Sequence, residues 1–384
     1  MSNNGRQKTQ VRSASRLRVM LVTGSYPPMR CGVGDYSASL VRALARSGCA
    51  EVDVLTSSAA VAAHADRSAS VKVHALMPSW SWGAARTAIR FARERRPNVV
   101  HMQFPTQGYG RSRMPWALPW LLRLGGHSVV QTWHEFLPCP THSLSLLQLS
   151  SGGGVIVVRP GYVDALSPVY RRLLRRRSIT YIPSASSIPT SVLDDEGRNR
   201  LRENLAPAGE RLLVYFGFAN PNKQVELLFD IADPRRDRLV LACELDPIDR
   251  YHAAILDRAQ STDWKGRVLV TGRIDAERAA DLMAAADAVV LPFRDGGGDW
   301  NSSLLAARLQ GTFVVTTSRN RHGYDETDHS AYCAPTDVAG MRAALDAHAG
   351  VRRPVGSADR STDETWDRIA AAHLDVYSRA GVIT

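Results

Sequence analysis

Along the chain, strand-length apolar runs alternate with segments whose apolar residues recur every three or four positions, the pattern of parallel sheets wound with helices. Arg18-Val-Met-Leu-Val22 reads as a buried strand, Gly24 to Gly34 as the turn behind it, and Tyr36, Leu40 and Leu44 as one helix face. Further strands are expected at Val52 to Leu55, Val71 to Ala75, Val99 to Met102, Ser128 to Thr132 and Val155 to Val158. The Ser- and Pro-rich stretch Ile182 to Pro189 then reads as a linker into a helix at Val192 to Asn204. A second series follows at Leu212 to Phe216, Leu239 to Cys243, Val268 to Thr271, Ala288 to Leu291 and Phe313 to Thr317. Two successive arrays of this kind imply two Rossmann-like α/β domains. The expected division is a flexible basic tail over 1–16, an N-terminal domain over 17–187, a C-terminal domain over 188–355 and a last helical segment over 356–384. Trp366, Ile369, Ala370, His373 and Tyr377 give that segment its helical period, and it is expected to pack back on the first domain.

A length of 384 residues agrees with two domains rather than one. Five scattered cysteines with no CxxC pair point to a reduced, cytoplasmic protein without a metal centre. The N-terminus has charge but no apolar stretch behind it, and no run is long enough to span a bilayer, so any membrane contact is expected to be peripheral, at the inner face. The formal charge of +11 calls for an anionic partner or a basic surface. Its basic residues concentrate in Arg86 to Arg96 and in Tyr170 to Arg177, each readable as the solvated face of a helix or as a surface for nucleotide sugars or acidic lipids. Nucleic acid is not expected as a partner, since neither stretch interleaves aromatic and basic residues and no nucleic-acid motif occurs. Met114 to Leu122 carries Trp116 and Trp120 among aliphatics, which suits either an interfacial contact with an anionic membrane or the core face of one helix.

Open parallel sheets bind ligands beyond the carboxyl ends of their strands, so the loops there hold the candidate chemistry. Gly24-Ser-Tyr-Pro-Pro-Met-Arg-Cys-Gly-Val-Gly34 follows the first strand; its glycines either admit a phosphate to the backbone or simply permit a tight turn. Arg294-Asp-Gly-Gly-Gly-Asp-Trp-Asn-Ser-Ser303 enters a helix expected at Leu304 to Gln310, with Asn301, Ser302 and Ser303 as capping types. Phe216 to Gln224 offers Lys223 as a movable cation for the same phosphates. His134 and Glu135 directly follow an apolar strand, a place that packing explains poorly.

Together these segments resemble the retaining glycosyltransferases of GT-B architecture, two Rossmann-like domains facing across a cleft. The resemblance spans nearly the whole chain through Ser25-Tyr-Pro-Pro with Cys31-Gly-Val-Gly34, Val100 to Pro105, Gln131 to Glu135, Gly217 through Lys223, Thr271 to Asp275, and Ala286 to Pro292 onward to Ala306 and Gly311. It implies a nucleotide-sugar donor as co-substrate, no cofactor, and Lys223, His134 and Glu135 as catalytic residues. Donor binding is then implied for Gly32, Gly34, Phe218, Arg273, Ile274, Asp295, Asp299, Asn301, Ser302 and Ser303, while His101, Gln103 and Tyr109 fall on the acceptor or sugar side. Gly298 and Ala306 stand where the family carries a pair of glutamates, Phe218 where it often carries arginine, and Gln103 where many relatives carry histidine.

Transfer of this type depends on stabilising the departing diphosphate, and the absence of any D-x-D sequence argues against the divalent-metal strategy. The acceptor stays open among glycans, lipid-linked glycans and small molecules. Two other functions fit the same fold: a nucleotide-sugar epimerase and a binding protein without catalysis.

Overall fold

The computed structural model describes residues 16–60, 70–135, 153–174, 178–353 and 362–381. The expected N-terminal tail, apart from Arg16, and Arg175 to Arg177 lie outside these residues. Two compact units emerge, one of residues 1–156, 163–180 and 370–384, the other of residues 157–162 and 181–369. The last helix is thus shared in sequence, its residues from 370 onward belonging to the first unit.

The first sheet has seven strands in the order β3-β2-β1-β4-β5-β6-β7. They are β1 (Leu17–Val22), β2 (Ala50–Ser57), β3 (Val71–Met77), β4 (Val99–Phe104), β5 (Val129–Trp133), β6 (Val155–Val157) and β7 (Ile179–Tyr181). All six residues of β4 are buried, because helices cover both faces of a parallel sheet. Helix α1 (Gly32–Arg46) turns Tyr36, Leu40, Val41 and Leu44 to the core, where each large apolar side chain contributes about 1.5–3 kcal/mol. It starts at Gly32, so Gly32 and Gly34 lie in its first turn rather than in a preceding loop. Helices α2 (Ala85–Arg95), α3 (Met114–Leu124) and α4 (Pro168–Leu174) follow.

The second sheet repeats the plan in the order β10-β9-β8-β11-β12-β14-β13. Its strands are β8 (Arg211–Phe216), β9 (Asp237–Ala242), β10 (Val268–Val270), β11 (Ala288–Leu291), β12 (Val314–Thr317), β13 (Gly323–Asp325) and β14 (Ser330–Cys333). Only the edge strand β13 pairs antiparallel, with β14. Helix α5 (Asp195–Leu205) begins three residues later than the apolar pattern suggests, because the Asp194 carboxylate caps it by accepting from the Gly197 N–H at 2.8 Å. The other helices are α6 (Leu228–Ile231), α7 (Arg250–Ala259), α8 (Ala276–Ala285), α9 (Ser302–Leu309), α10 (Val338–His348) and α11 (Thr362–Gly381). No helix among the described residues is long and apolar enough to cross a membrane.

In both sheets the strand order reverses direction beside the first strand: between β1 and β4, and between β8 and β11. Connections leave such a point to opposite faces and open a crevice at the carboxyl ends. Topology therefore selects the loops after β1, β4, β8 and β11.

Candidate functional site

In the second unit the loops after β8 and β11 come together. Gly217 approaches the start of α9 so closely that a Cβ on it would lie 3.8 Å from the Ser303 Cβ. The Arg294 N–H donates to the Asn222 carbonyl at 3.0 Å and ties the two loops by their backbones. Lys223 places its ammonium 4.2 Å from the centre of the Phe293 ring, a cation–π contact that holds the charge at the root of the glycine-rich loop. Tyr215 donates to the Phe218 carbonyl at 2.8 Å, and Phe218 itself is exposed.

Helix α9 begins at Ser302, two residues before the expected start, and Asn301 does not cap it. The Asn301 side chain instead accepts from the Gly298 N–H at 2.9 Å and closes the turn behind it. Ser302 and Ser303 are consequently the first helical residues, and the leading N–H groups have no side-chain cap. An anion is favoured at such an end by the N–H groups and by the helix dipole.

The loop carboxylates are engaged elsewhere. Asp295 pairs with Arg319 at 2.8 Å, and Asp299 with Arg308 at 2.9 Å; Arg308 also binds Asp328 at 2.8 Å. A Cβ on Gly298 would lie 2.2 Å from Cζ3 of Trp300, so the indole fills the space of any side chain there. Arg159, in the same unit, lies 5.0 Å from that indole. Ala306 is fully buried. Arg273 and Ile274 lie past the end of β10, two strands from β8, hence roughly 10 Å along the sheet edge.

The start of α7 was not singled out in the sequence, yet it faces part of the Phe216 to Gln224 loop that was. A hollow of about 600 Å³ opens along Ala219, Asn220, Pro221, Asp249, Arg250, Tyr251 and His252. His252 spans it, joining the Ala219 carbonyl at 2.9 Å through Nε2 and accepting from the Asp246 N–H at 3.1 Å.

In the first unit the loops after β1 and β4 are locked together. A Cβ on Gly108 would lie 1.8 Å from the Gly24 carbonyl oxygen, and the Gly108 N–H donates to Ser25 Oγ at 2.7 Å. Gly34 likewise lets α1 approach, since a Cβ there would sit 3.1 Å from the Ser25 carbonyl. Gly32 differs: nothing lies within 4 Å of its Cβ position, so its backbone stands open to a ligand.

His101 is fully buried, bonded through Nδ1 to Tyr377 Oη and through Nε2 to Thr132 Oγ1, both at 2.7 Å. Burial, followed by the neighbouring His373 and His134, pushes its pKa well below the ordinary imidazole value. Tyr109 is also buried and donates to the Gln103 carbonyl at 3.0 Å. Gln103 lies between His101 and His134, with its Oε1 2.7 Å from His134 Nε2. His134 is half-buried and Glu135 exposed, so they form the accessible end of this cluster, whereas His101, Gln103 and Tyr109 form its interior. Among the described residues no group of three or more His, Cys, Asp or Glu side chains is placed to hold a metal ion.

Known proteins give the same picture of the fold. The family described as Glycosyl transferase 4-like domain matches residues 31–214, and that described as Glycosyl transferases group 1 matches residues 210–348. No curated protein sequence matches the chain. Sucrose-phosphate synthase from Thermosynechococcus elongatus is similar at TM-score 0.67 and 18% identity, over 95% of this chain and 99% of that one. HepE from Anabaena in complex with UDP and glucose reaches TM-score 0.65 at 13% identity, over 95% and 98% of the two chains. The catalytic domain of starch synthase IV from Arabidopsis thaliana, bound to ADP and acarbose, reaches TM-score 0.65 at 13% identity, over 96% and 100%.

Proposed function

Because this chain belongs to the GT-B glycosyltransferases, its two domains being matched by the 4-like and group 1 families, we propose that it moves a sugar from a nucleotide-diphosphate donor to an acceptor hydroxyl, with retention and without a metal. The observation that carries the donor assignment is that the loop bearing Lys223 meets the uncapped start of α9, through Gly217 beside Ser303, at the strand reversal between β8 and β11. One movable cation and several aimed N–H groups suit a departing diphosphate, whose charge grows as the sugar bond loosens. Gly32 contributes an open backbone at the corresponding place in the first unit. Arg273 and Ile274 lie at a distance suited to the nucleotide base. Metal independence is supported by the engagement of Asp295 and Asp299 with arginines rather than with each other.

On the acceptor side, His134 and Glu135 are the accessible polar groups beyond β5. Peripheral contact with an anionic membrane falls on α2 and α3, which pack together. Trp82, just before α2, and Leu124, at the end of α3, are exposed, as are Arg86, Arg90, Arg93 and Arg123 of the two helices. Trp116 takes the packing role instead, its ring 4.4 Å from that of Phe104. Acidic headgroups and shallow apolar burial act together on such a face.

Lys223→Ala tests the donor assignment. Turnover in the purified variant should fall by about 10²-fold, the size of one lost leaving-group stabiliser, with an unchanged far-ultraviolet circular dichroism spectrum. Near-normal rates would remove Lys223 from the site.

A further inference from the structure

The turn that carries Lys223 is held from outside by two consecutive residues at the start of α7. Within the turn the Lys223 N–H donates to the Asn220 carbonyl at 2.8 Å, and the Asn222 N–H to Asn220 Oδ1 at 3.0 Å. Gln224 then takes φ of +50°, a left-handed conformation that persists in a non-glycine residue only where its surroundings hold it. Before the lysine, His252 bonds to the Ala219 carbonyl at 2.9 Å. After it, Tyr251 Oη accepts from the Val225 N–H at 2.9 Å and donates to the Glu226 carboxylate. The bonds at Ala219 and Val225 thus bracket Lys223.

The direction of the His252 bond is set by backbone groups, whose roles are fixed. The Asp246 N–H can only donate, so Nδ1, 3.1 Å away, holds the lone pair. The Ala219 carbonyl can only accept, so Nε2 holds the proton. The helix start seats the ring in turn: Asp249 Oδ1 accepts from the Tyr251 and His252 N–H groups at 2.9 and 3.0 Å. The hollow of about 600 Å³ is lined by both partners, Ala219 to Pro221 of the turn and Asp249 to His252 of α7. An open hollow supplies little packing, so directed bonds across it hold the turn.

We propose that His252 is a positioning residue for Lys223: by fastening the Ala219 carbonyl to α7 it fixes the turn, and with it the place where the ammonium meets the departing diphosphate. The fastening stands on the geometry alone; its consequence for transfer rests on the glycosyl-transfer reading.

Two substitutions divide the bonds of the ring. In His252→Gln the side-chain amide can still donate to Ala219, while nothing replaces Nδ1. In His252→Asn the carboxamide oxygen can replace Nδ1, but the side chain is too short for Ala219. Hydrogen–deuterium exchange over residues 217–225 of the full chain should quicken by about tenfold in His252→Asn and stay within about twofold of the unaltered protein in His252→Gln. Unchanged exchange in His252→Asn overturns the fastening with no donor present. So does a protonated Nδ1 on His252 in long-range ¹H–¹⁵N correlation spectra of the unaltered protein, which keeps the proposal open to refutation even if a variant fails to fold. In transfer assays His252→Asn should lower kcat/KM by about tenfold, and His252→Gln should restore most of it. In a Lys223→Ala background His252→Asn should cost no more than about twofold, because no ammonium is left to place. Equal losses in the Asn and Gln variants, or the same tenfold loss with and without Lys223, overturn the positioning role. If Lys223→Ala is itself without effect, the donor reading and the positioning role fall together, while the exchange result still decides the fastening.

Discussion

The buried His101 makes the stability of the first unit depend on pH. Burial holds its folded pKa well below the ordinary value, while in the unfolded chain it returns to about 6.5. Between those values the unfolded state binds a proton that the native state refuses, so stability falls as pH falls. The contribution is complete above the unfolded pKa and is lost on acidification. Between pH 7.5 and 5.5 one such histidine costs about 1.4 kcal/mol, from RT ln(1 + 10^(6.5 − pH)) at the two limits. His101→Asn keeps polar atoms near Tyr377 and Thr132 but cannot take up that proton. Urea unfolding of the two proteins at pH 7.5 and 5.5 should show a variant that is weaker at the higher pH yet loses about 1.4 kcal/mol less on acidification. His127, which is also shifted downward by burial and by Arg93, is common to both proteins and cancels in the difference. Equal losses in both would refute a neutral, proton-refusing His101.

Gly298→Ala should force the Trp300 indole away from its seat, since the new Cβ would lie 2.2 Å from Cζ3; a red-shifted tryptophan emission and a loss of about 1–2 kcal/mol are expected, and unchanged emission would contradict the packing. Activity should persist in excess EDTA, because the carboxylates beside the proposed phosphate loops are paired with arginines; loss with chelator and recovery with Mg²⁺ or Mn²⁺ would reverse the metal assignment. In vesicle co-sedimentation the protein should pellet with anionic but not neutral liposomes at low salt and be released at high salt, and Trp82→Ser with Arg90→Glu should weaken this; a protein that stays in the supernatant with both would place the acceptor in solution.

The alternation of buried strands and amphipathic helices was legible because the central strands of both sheets pair parallel and are covered on both faces, so strands such as Val289-Val-Leu291 are continuous apolar runs. The strands β7, β13 and β14 were not legible, being three or four residues long with Ser, Thr, Asp or Gly among them. The lysine loop and the glycine-rich loop stood out because each follows a strand, yet only the sheet order shows that β8 and β11 are neighbours. Sequence could not separate Gly32 from Gly34, one facing open space and the other the Ser25 backbone. Nor could it show that Asp295 and Asp299 are tied to Arg319 and Arg308, or that Trp300 fills the place beside Gly298. The polar cluster about Gln103 was hidden for the same reason: Tyr377 and His373 lie more than 270 positions from His101, and no local pattern announces such a contact.

The central claim, donor binding at the junction of the Lys223 loop and the start of α9, is tested most directly by thermal unfolding of the protein and its Lys223→Ala variant against UDP-, GDP-, dTDP- and ADP-sugars. At a hundredfold excess over Kd a true donor stabilises by about 2.7 kcal/mol. The account predicts an upward shift of Tm with at least one of the four that is clearly reduced in Lys223→Ala, and none with the free sugars. No shift with any nucleotide sugar at millimolar concentration, or an equal shift in both proteins, would contradict it.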